Sequence, residues 1–372
     1  MLLLVAISII ALLTVLFYLT TDRLAQFGAK PEGARLERIK QSPQYNGEKF
    51  VNPHPIRMSF GFSDITQMFY RWFIAEQARE PKGEIPIITQ NAASYDTPPE
   101  SGLRVTWLGH STLLIEIDGV IILTDPVWKE RSSPSSIVGP KRFFPVPIAI
   151  EDLPSIDAVL ISHDHFDHLD MHTVQKLAHC GIPLYIPLGV GAHLEKWGIS
   201  DDKFTEFDWW DSVSVGERQI KLVATPARHF SGRGLFNGSD PTLWMTWIIV
   251  GPDNRVFFCG DTGVYPELPD IGERYGPFDL TLMKIGAYGD KWPDIHLTPE
   301  QAVEVHLALR GKLFLPIHWG TFNLAFHDWF EPPERLLPAA MATGVQYVIP
   351  KPGEMVTPGE PVNIERWWNT AR

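Results

Sequence analysis

Directly after the apolar run DAVLIS (157–162) stand His163-Asp164-His165-Phe166-Asp167-His168-Leu169-Asp170, three imidazoles and several carboxylates packed into eight residues. Such density is rare by chance, and it constrains the fold, because side chains that converge on a cation must be aimed from the end of a rigid element. Histidine and carboxylate suit Zn²⁺ and similar divalent ions, and a loop at a strand's end directs successive side chains differently. His163 and His165, two apart, can point to one side while Asp167 and His168 turn to another. The pattern HxHxDH therefore offers partial shells for two ions, whereas a merely solvated polar loop would have little reason for this alternation.

Two ions need more ligands than one loop supplies. His229 follows QIKLVATPAR, Asp261 follows RVFFCG and His318 ends KLFLPIH, each where a strand-like run stops and a loop begins. Taken singly, each could be a capping Asp or a half-buried His bonded to backbone; taken with HxHxDH, they read as the missing ligands. His172, His179, His193 and His306 fall on helical stretches at no ligand spacing and read as non-catalytic.

The rest of the chain supports a layered fold. LRVTWLG (103–109), TLLIEI (112–117) and VIILTD (120–125) read as a strand meander with an Asp118-Gly119 turn, and DAVLIS as a buried strand. Helical patterns follow near 170–180 and 190–197, and further strands at 219–225, 243–250, 255–260, 279–286 and 312–318. Thr298-Pro299-Glu300 opens another helix with an N-cap and Pro at its first position. Strands, then helix and strand alternating, then strands again suggest two sheets packed face to face with helices outside. This domain is expected over 96–372.

Ahead of it, residues 1–20 carry no charged side chain and are expected to form a transmembrane anchor, long enough to span roughly 30 Å of hydrocarbon. Arg23, Lys30, Arg35, Arg38 and Lys40 follow the span, so the positive-inside rule favours a cytoplasmic body over a periplasmic or otherwise extracytoplasmic one. Residues 21–95 form a connecting segment. Within it Ile65, Met68, Phe69, Trp72 and Phe73 recur at helical spacing, predicting an amphipathic helix near 62–80 that packs on the domain or lies at a bilayer interface.

The net charge of −12 and the lack of any Lys/Arg block exclude the basic stripe expected of a nucleic-acid binder. Two cysteines, Cys180 and Cys259, form no CxxC and indicate neither a disulfide framework nor a thiolate metal site.

HxHxDH followed by separate His, Asp and His at strand ends resembles the metallo-β-lactamase superfamily. The likeness narrows to the N-acylphosphatidylethanolamine-hydrolysing phospholipase D family and its bacterial relatives through TWLGHST (106–112), LTDP (123–126), SPSSIVGPKRF (133–143), SHDHFDHLD (162–170), FDWWD (207–211), GDTG (260–263), GPFDL (276–280), IGAY (285–288), IHWGTF (317–322) and EPP (331–333). That resemblance implies an α+β, four-layer αββα sandwich. It implies two Zn²⁺, or other divalent ions, with His163, His165 and His229 on one, Asp167, His168 and His318 on the other, and Asp261 bridging. It also implies catalytic roles for Asp167 and His296, the latter near a substrate phosphate, with His110 and Asp125 orienting ligands from behind. For His296 a solvent-exposed loop histidine, for Asp125 a turn residue before Pro126, and for His110 a purely structural role are the plain alternatives.

The expected activity is a phospholipase D-type phosphodiesterase acting on a membrane lipid, with the lipid and the bilayer as partners and no nucleic acid. A lactonase or β-lactamase-like hydrolase is the alternative substrate class, and a non-enzymatic metal sensor or di-iron redox protein the alternative of another kind. A homodimer stays open.

Overall fold

The computed structural model describes residues 7–13, 25–58, 66, 70, 77–234, 240–361 and 365–372. Among them two seven-stranded sheets form the frame. In the first, β1 (Leu103–Gly109), β2 (Thr112–Ile117) and β3 (Val120–Thr124) make an antiparallel meander. Asp118 and Gly119 both take positive φ, 47° and 85°, the backbone a tight two-residue hairpin needs to match strand twist. β4 (Ala158–Leu160), β5 (Leu184–Pro187) and β6 (Phe204–Phe207) extend this sheet in parallel, and β14 (Met355–Val356) closes its other edge.

The second sheet begins with β7 (Ser212–Val215), β8 (Ile220–Thr225), β9 (Thr246–Val250) and β10 (Arg255–Phe258), paired antiparallel. β11 (Phe278–Lys284), β12 (Gly311–Ile317) and β13 (Gln346–Tyr347) then add in parallel to β10. Parallel neighbours bring their C-terminal ends to one edge, and that edge carries the chemistry.

Side-chain alternation explains the layers. Leu113 and Ile115 face the core between the sheets, where they join Trp107, Trp247, Phe257 and Leu282. Leu114 and Leu123 face the other way, onto Val174 and Leu177 of the helix Met171–His179. β4 is covered on both faces, with Ala158 and Leu160 inward and Val159 outward, so its run is apolar throughout rather than alternating. On the far side the helix Pro299–Ala308 packs against β11 and β12. Each fully buried large apolar side chain contributes about 1.5–3 kcal/mol by removal from water. The result is the two-sheet sandwich with outer helices that the strand order suggests.

The chain before residue 96 is built onto this sandwich. Ile39 and Phe50 enter the core between the sheets, and Arg35 pairs with Glu195 at 2.6 Å and Glu206 at 3.0 Å. Residues 51–58 run along the ligand-bearing edge, where the Asn52 side chain donates to His229 O at 2.7 Å and Arg57 grips Asp294 through two 2.8 Å bonds from its guanidinium.

The expected membrane anchor is corrected here: among the described residues no helix is long and apolar enough to cross a membrane. Within the expected span, residues 7–13 are helical. The other positions of that span lie outside the described residues, and the single-pass localisation built on them is withdrawn. The helix expected near 62–80 also falls largely outside the described residues; Thr66 and Tyr70, within it, are helical.

Candidate metal centre

Every proposed ligand stands at or just past a strand's C-terminal end. His163, His165, Asp167 and His168 follow β4, His229 follows β8, Asp261 follows β10 and His318 follows β12. The two sheets thus deliver ligands from opposite sides. Gly260 allows their loops to meet: it adopts φ +52°, and a Cβ there would sit 2.6 Å from Cβ of Ser162.

Two ligand clusters result. His163, His165 and His229 bring one nitrogen each into a common metal-holding radius, and His110, His168 and His318 do the same with a carboxylate oxygen of Asp167. His165 Nδ1 lies 2.9 Å from His163 Nε2 and 3.3 Å from His229 Nε2, a convergence of ring nitrogens around one point. In the second cluster Asp167 Oδ2 is 3.5 Å from both His168 Nε2 and His318 Nε2. Asp261 stands between them, 3.0 Å from His318 Nε2, 3.5 Å from His168 Nε2 and 3.8 Å from His229 Nε2. The sequence-derived ligands are therefore all brought together.

The fit to cations can be tested on buried atoms. His168 Nε2, His318 Nε2 and Asp261 Oδ1 are shielded from solvent, yet none makes a hydrogen bond within the chain; the 3.0 Å approach of the last two lacks hydrogen-bond alignment. Buried polar atoms are nearly always paired, and three orphans aimed at one point are what a divalent ion would satisfy. The donor set of imidazole and carboxylate matches Zn²⁺ and its neighbours.

A second layer of contacts fixes the ligands. Asp125, just past β3, accepts from Ser162 N at 2.7 Å and lies 2.6 Å from His168 Nδ1, leaving Nε2 of that ring for the centre. His110 Nε2 meets Asp167 Oδ2 at 2.8 Å. Its backbone is held by Thr321 Oγ1 at 2.7 Å and by His318 N, which donates to His110 O at 2.9 Å. His229 Nδ1 faces Ile295 O at 3.1 Å. His110, Asp125 and His318 all sit at positive φ, 53°, 35° and 59°. Such conformations in non-glycine residues persist only where surrounding contacts impose them.

Charge follows the same plan. Burial, with neighbouring His168 and His165, holds His163 well below the ordinary histidine range, and burial does the same to His229 against the pull of Asp261. Both are unprotonated at neutral pH, as ligation requires. Burial alone would raise Asp261, but His318, His168 and Lys284 outweigh it and hold the carboxylate well below its usual value. At His168, Asp261, Asp167 and Asp125 together overcome burial and raise the pKa well above normal, so this position attracts positive charge.

His296 is brought to the centre as well, its Nδ1 3.6 Å from Asp261 Oδ2. Sequence reasoning missed its neighbour Lys284. This fully buried lysine ends β11, 2.5 Å from His296 Nδ1. The signal in the sequence is a charged residue closing the apolar run DLTLMK. Also missed was the bracing of the ligand loop from behind. Asp164 meets His193 Nε2 at 3.1 Å, and Arg233 donates to Asp164 O at 2.6 Å and Leu169 O at 2.8 Å. His306 bonds Thr281 Oγ1 at 2.7 Å, away from the centre.

Beside the centre lies a cavity of about 250 Å³ lined by His165, Asp167, Asp261, His296 and His318 together with the apolar Met58, Phe230, Trp292, Ile295 and Leu324.

Comparison with known proteins agrees with this geometry. The family model described as "Beta-lactamase superfamily domain" matches residues 121–319. An uncharacterized protein of Mycobacterium tuberculosis is 46% identical over 88% of this chain and 88% of its own length. N-acyl-phosphatidylethanolamine-hydrolyzing phospholipase D 1 of Caenorhabditis elegans is 36% identical over 79% of this chain and 87% of that protein. Among solved structures, the metallo hydrolase Igni18 of Ignicoccus hospitalis superposes with a TM-score of 0.52 at 24% identity, covering 68% of this chain and 97% of that one, a likeness of fold.

Proposed function

Because the chain belongs to the metallo-β-lactamase superfamily and has N-acylphosphatidylethanolamine-hydrolysing phospholipases D among its relatives, we propose that this metal-dependent hydrolase is a zinc phosphodiesterase of the phospholipase D type, cleaving N-acylphosphatidylethanolamine or a related lipid. The observation that carries the reading is this cavity, where the apolar Met58, Phe230, Trp292, Ile295 and Leu324 stand beside the metal-ligand side chains. An amphiphile fits that mixed lining, with its phosphodiester at the ligands and its chains against the apolar residues.

Two divalent ions bound there would supply Lewis acidity and make water a competent nucleophile at neutral pH. His163, His165 and His229 would hold one, Asp167, His168 and His318 the other, with Asp261 shared. Asp167 is held well below the usual carboxylate range: burial opposes this, but the neighbouring His168, the hydrogen bond with His110 and the nearby His318 prevail. Asp125 and His110 keep His168 and Asp167 turned inward. His296, on the wall of the cavity, faces the oxygens on which negative charge develops. Water's oxygen bonds to phosphorus, the bond from phosphorus to the ethanolamine oxygen breaks, and the departing alkoxide takes a proton to leave as the alcohol. Phosphatidic acid and an N-acylethanolamine result.

The test is a substrate panel. Zinc-loaded protein is incubated with N-acylphosphatidylethanolamine, an acyl-homoserine lactone and a β-lactam, with H₂¹⁸O as solvent. The expected result is turnover of the lipid with ¹⁸O in the phosphatidic acid; turnover of only the lactone or the lactam removes the lipid reading.

A further inference from the structure

We propose that Lys284 is a positioning residue for hydrolysis: by donating to His296 Nδ1 it commits that ring to present Nε2–H to the reacting oxygen. This rests on the phosphodiesterase reading only for the identity of that oxygen.

Lys284 ends β11 fully buried, and its Nζ lies 2.8 Å from Gly286 O and 2.5 Å from His296 Nδ1. An ammonium donates and never accepts, so Nδ1 must be the acceptor, and a neutral imidazole then carries its one proton on Nε2. The hydrogen bond made at Nδ1 thereby decides which ring nitrogen carries the proton. Burying a lysine is costly, and this one directs its Nζ at two acceptors inside the fold. Both of these hydrogen bonds go to uncharged acceptors, so a Met in its place would take the donor away from Gly286 O and His296 Nδ1.

Two consequences follow. His229, Asp261 and His296 approach within metal-holding distance of one another. Because Lys284 already occupies the His296 Nδ1 that approaches Asp261, His296 serves the substrate and is not a further ligand. And the residue acts as a neutral donor, stabilising charge on a phosphoryl or leaving oxygen while keeping its own proton, rather than as an imidazolium acid.

The test has two arms. In the first, ¹⁵N-histidine-labelled, zinc-loaded wild-type protein is examined by NMR, with the His296 signals assigned by their loss in His296→Gln. Protonated Nε2 and bare Nδ1 are expected; a proton on Nδ1 overturns the proposal. In the second, a double-mutant cycle reads turnover of the lipid. Lys284→Met is expected to lower kcat about tenfold to a hundredfold with KM within about twofold, and Lys284→Gln, which retains an amide donor, to recover part of the loss. In a His296→Gln background Lys284→Met should change kcat less than about threefold, because a residue acting through another has nothing further to lose. Additive losses overturn the proposal. If wild-type protein turns over no phosphodiester, the reading of function fails, while the tautomer still decides whether Lys284 sets the ring.

Discussion

The two halves of the metal centre differ in charge and in support. The half made by His163, His165 and His229 is all imidazole, with its rings held by neutral groups: the Ser162 hydroxyl 2.9 Å from His163 Nδ1, and Ile295 O behind His229. The half made by Asp167, His168 and His318 contains its own carboxylate, and a second, Asp125, stands 2.6 Å behind His168. Positive charge is therefore drawn more strongly to the second half, while the first relies on the shared Asp261 for any negative charge. The lesson is that a symmetric-looking ligand list can conceal two sites of unequal grip, set by the residues behind the ligands.

The strongest way to break this comparison is to empty the better-held half. Asp167→Ala or His168→Ala should lower kcat/KM about a thousandfold or more, since the loss of several kcal/mol of charge stabilisation is multiplied tenfold for each 1.36 kcal/mol. Circular dichroism and gel filtration should report an unchanged fold, and wild-type turnover in either variant would refute the ligand assignment.

Graded chelation sharpens the contrast next. Metal content measured after dialysis against rising chelator should fall in two steps, the all-imidazole half first, at concentrations at least about tenfold apart. Simultaneous loss would erase the distinction. The melting temperature should fall in step, because an ion bound only by the native state stabilises it.

Removing the charge behind one ring comes third. Asp125→Asn should weaken metal binding at the second half about 10–100-fold, and the first half less in a competition titration, because Asp125 reaches His163 only through the Ser162 hydroxyl. The smallest effect is expected where residues 51–58 touch the first half. Asn52→Ala removes the hydrogen bond to His229 O and should cost about 0.5–1.5 kcal/mol in chemical denaturation, with only a few-fold loss of turnover.

Much of this centre was legible because its ligands obey a positional rule, standing where apolar runs stop. His163, Asp261 and His318 follow strands whose buried faces leave little freedom in the run itself. Lys284 obeys the same rule, closing the strand Phe278–Lys284, but is not a metal-ligand type. The bracing of Asp164 by His193 could not be read from spacing, since His193 lies on the helix Gly191–Lys196, joined to the loop only by folding. Some of the frame was equally obscure. β7, with the pattern Ser-Val-Ser-Val, is too short and polar to stand out. The helix Glu331–Thr343 carries Pro332, Pro333 and Pro338, which argue against a helix unless the first two fall in its opening turn, as they do. The apolar opening of the chain misled in the opposite sense: hydropathy alone suggested a span, but among the described residues no helix is long and apolar enough to cross a membrane.

The most direct test of the paired centre is anomalous scattering from crystals of the zinc-loaded protein. Two peaks are expected, one among His163, His165 and His229 and one among Asp167, His168 and His318, with Asp261 between them. A single peak, or none at these side chains, would contradict the account.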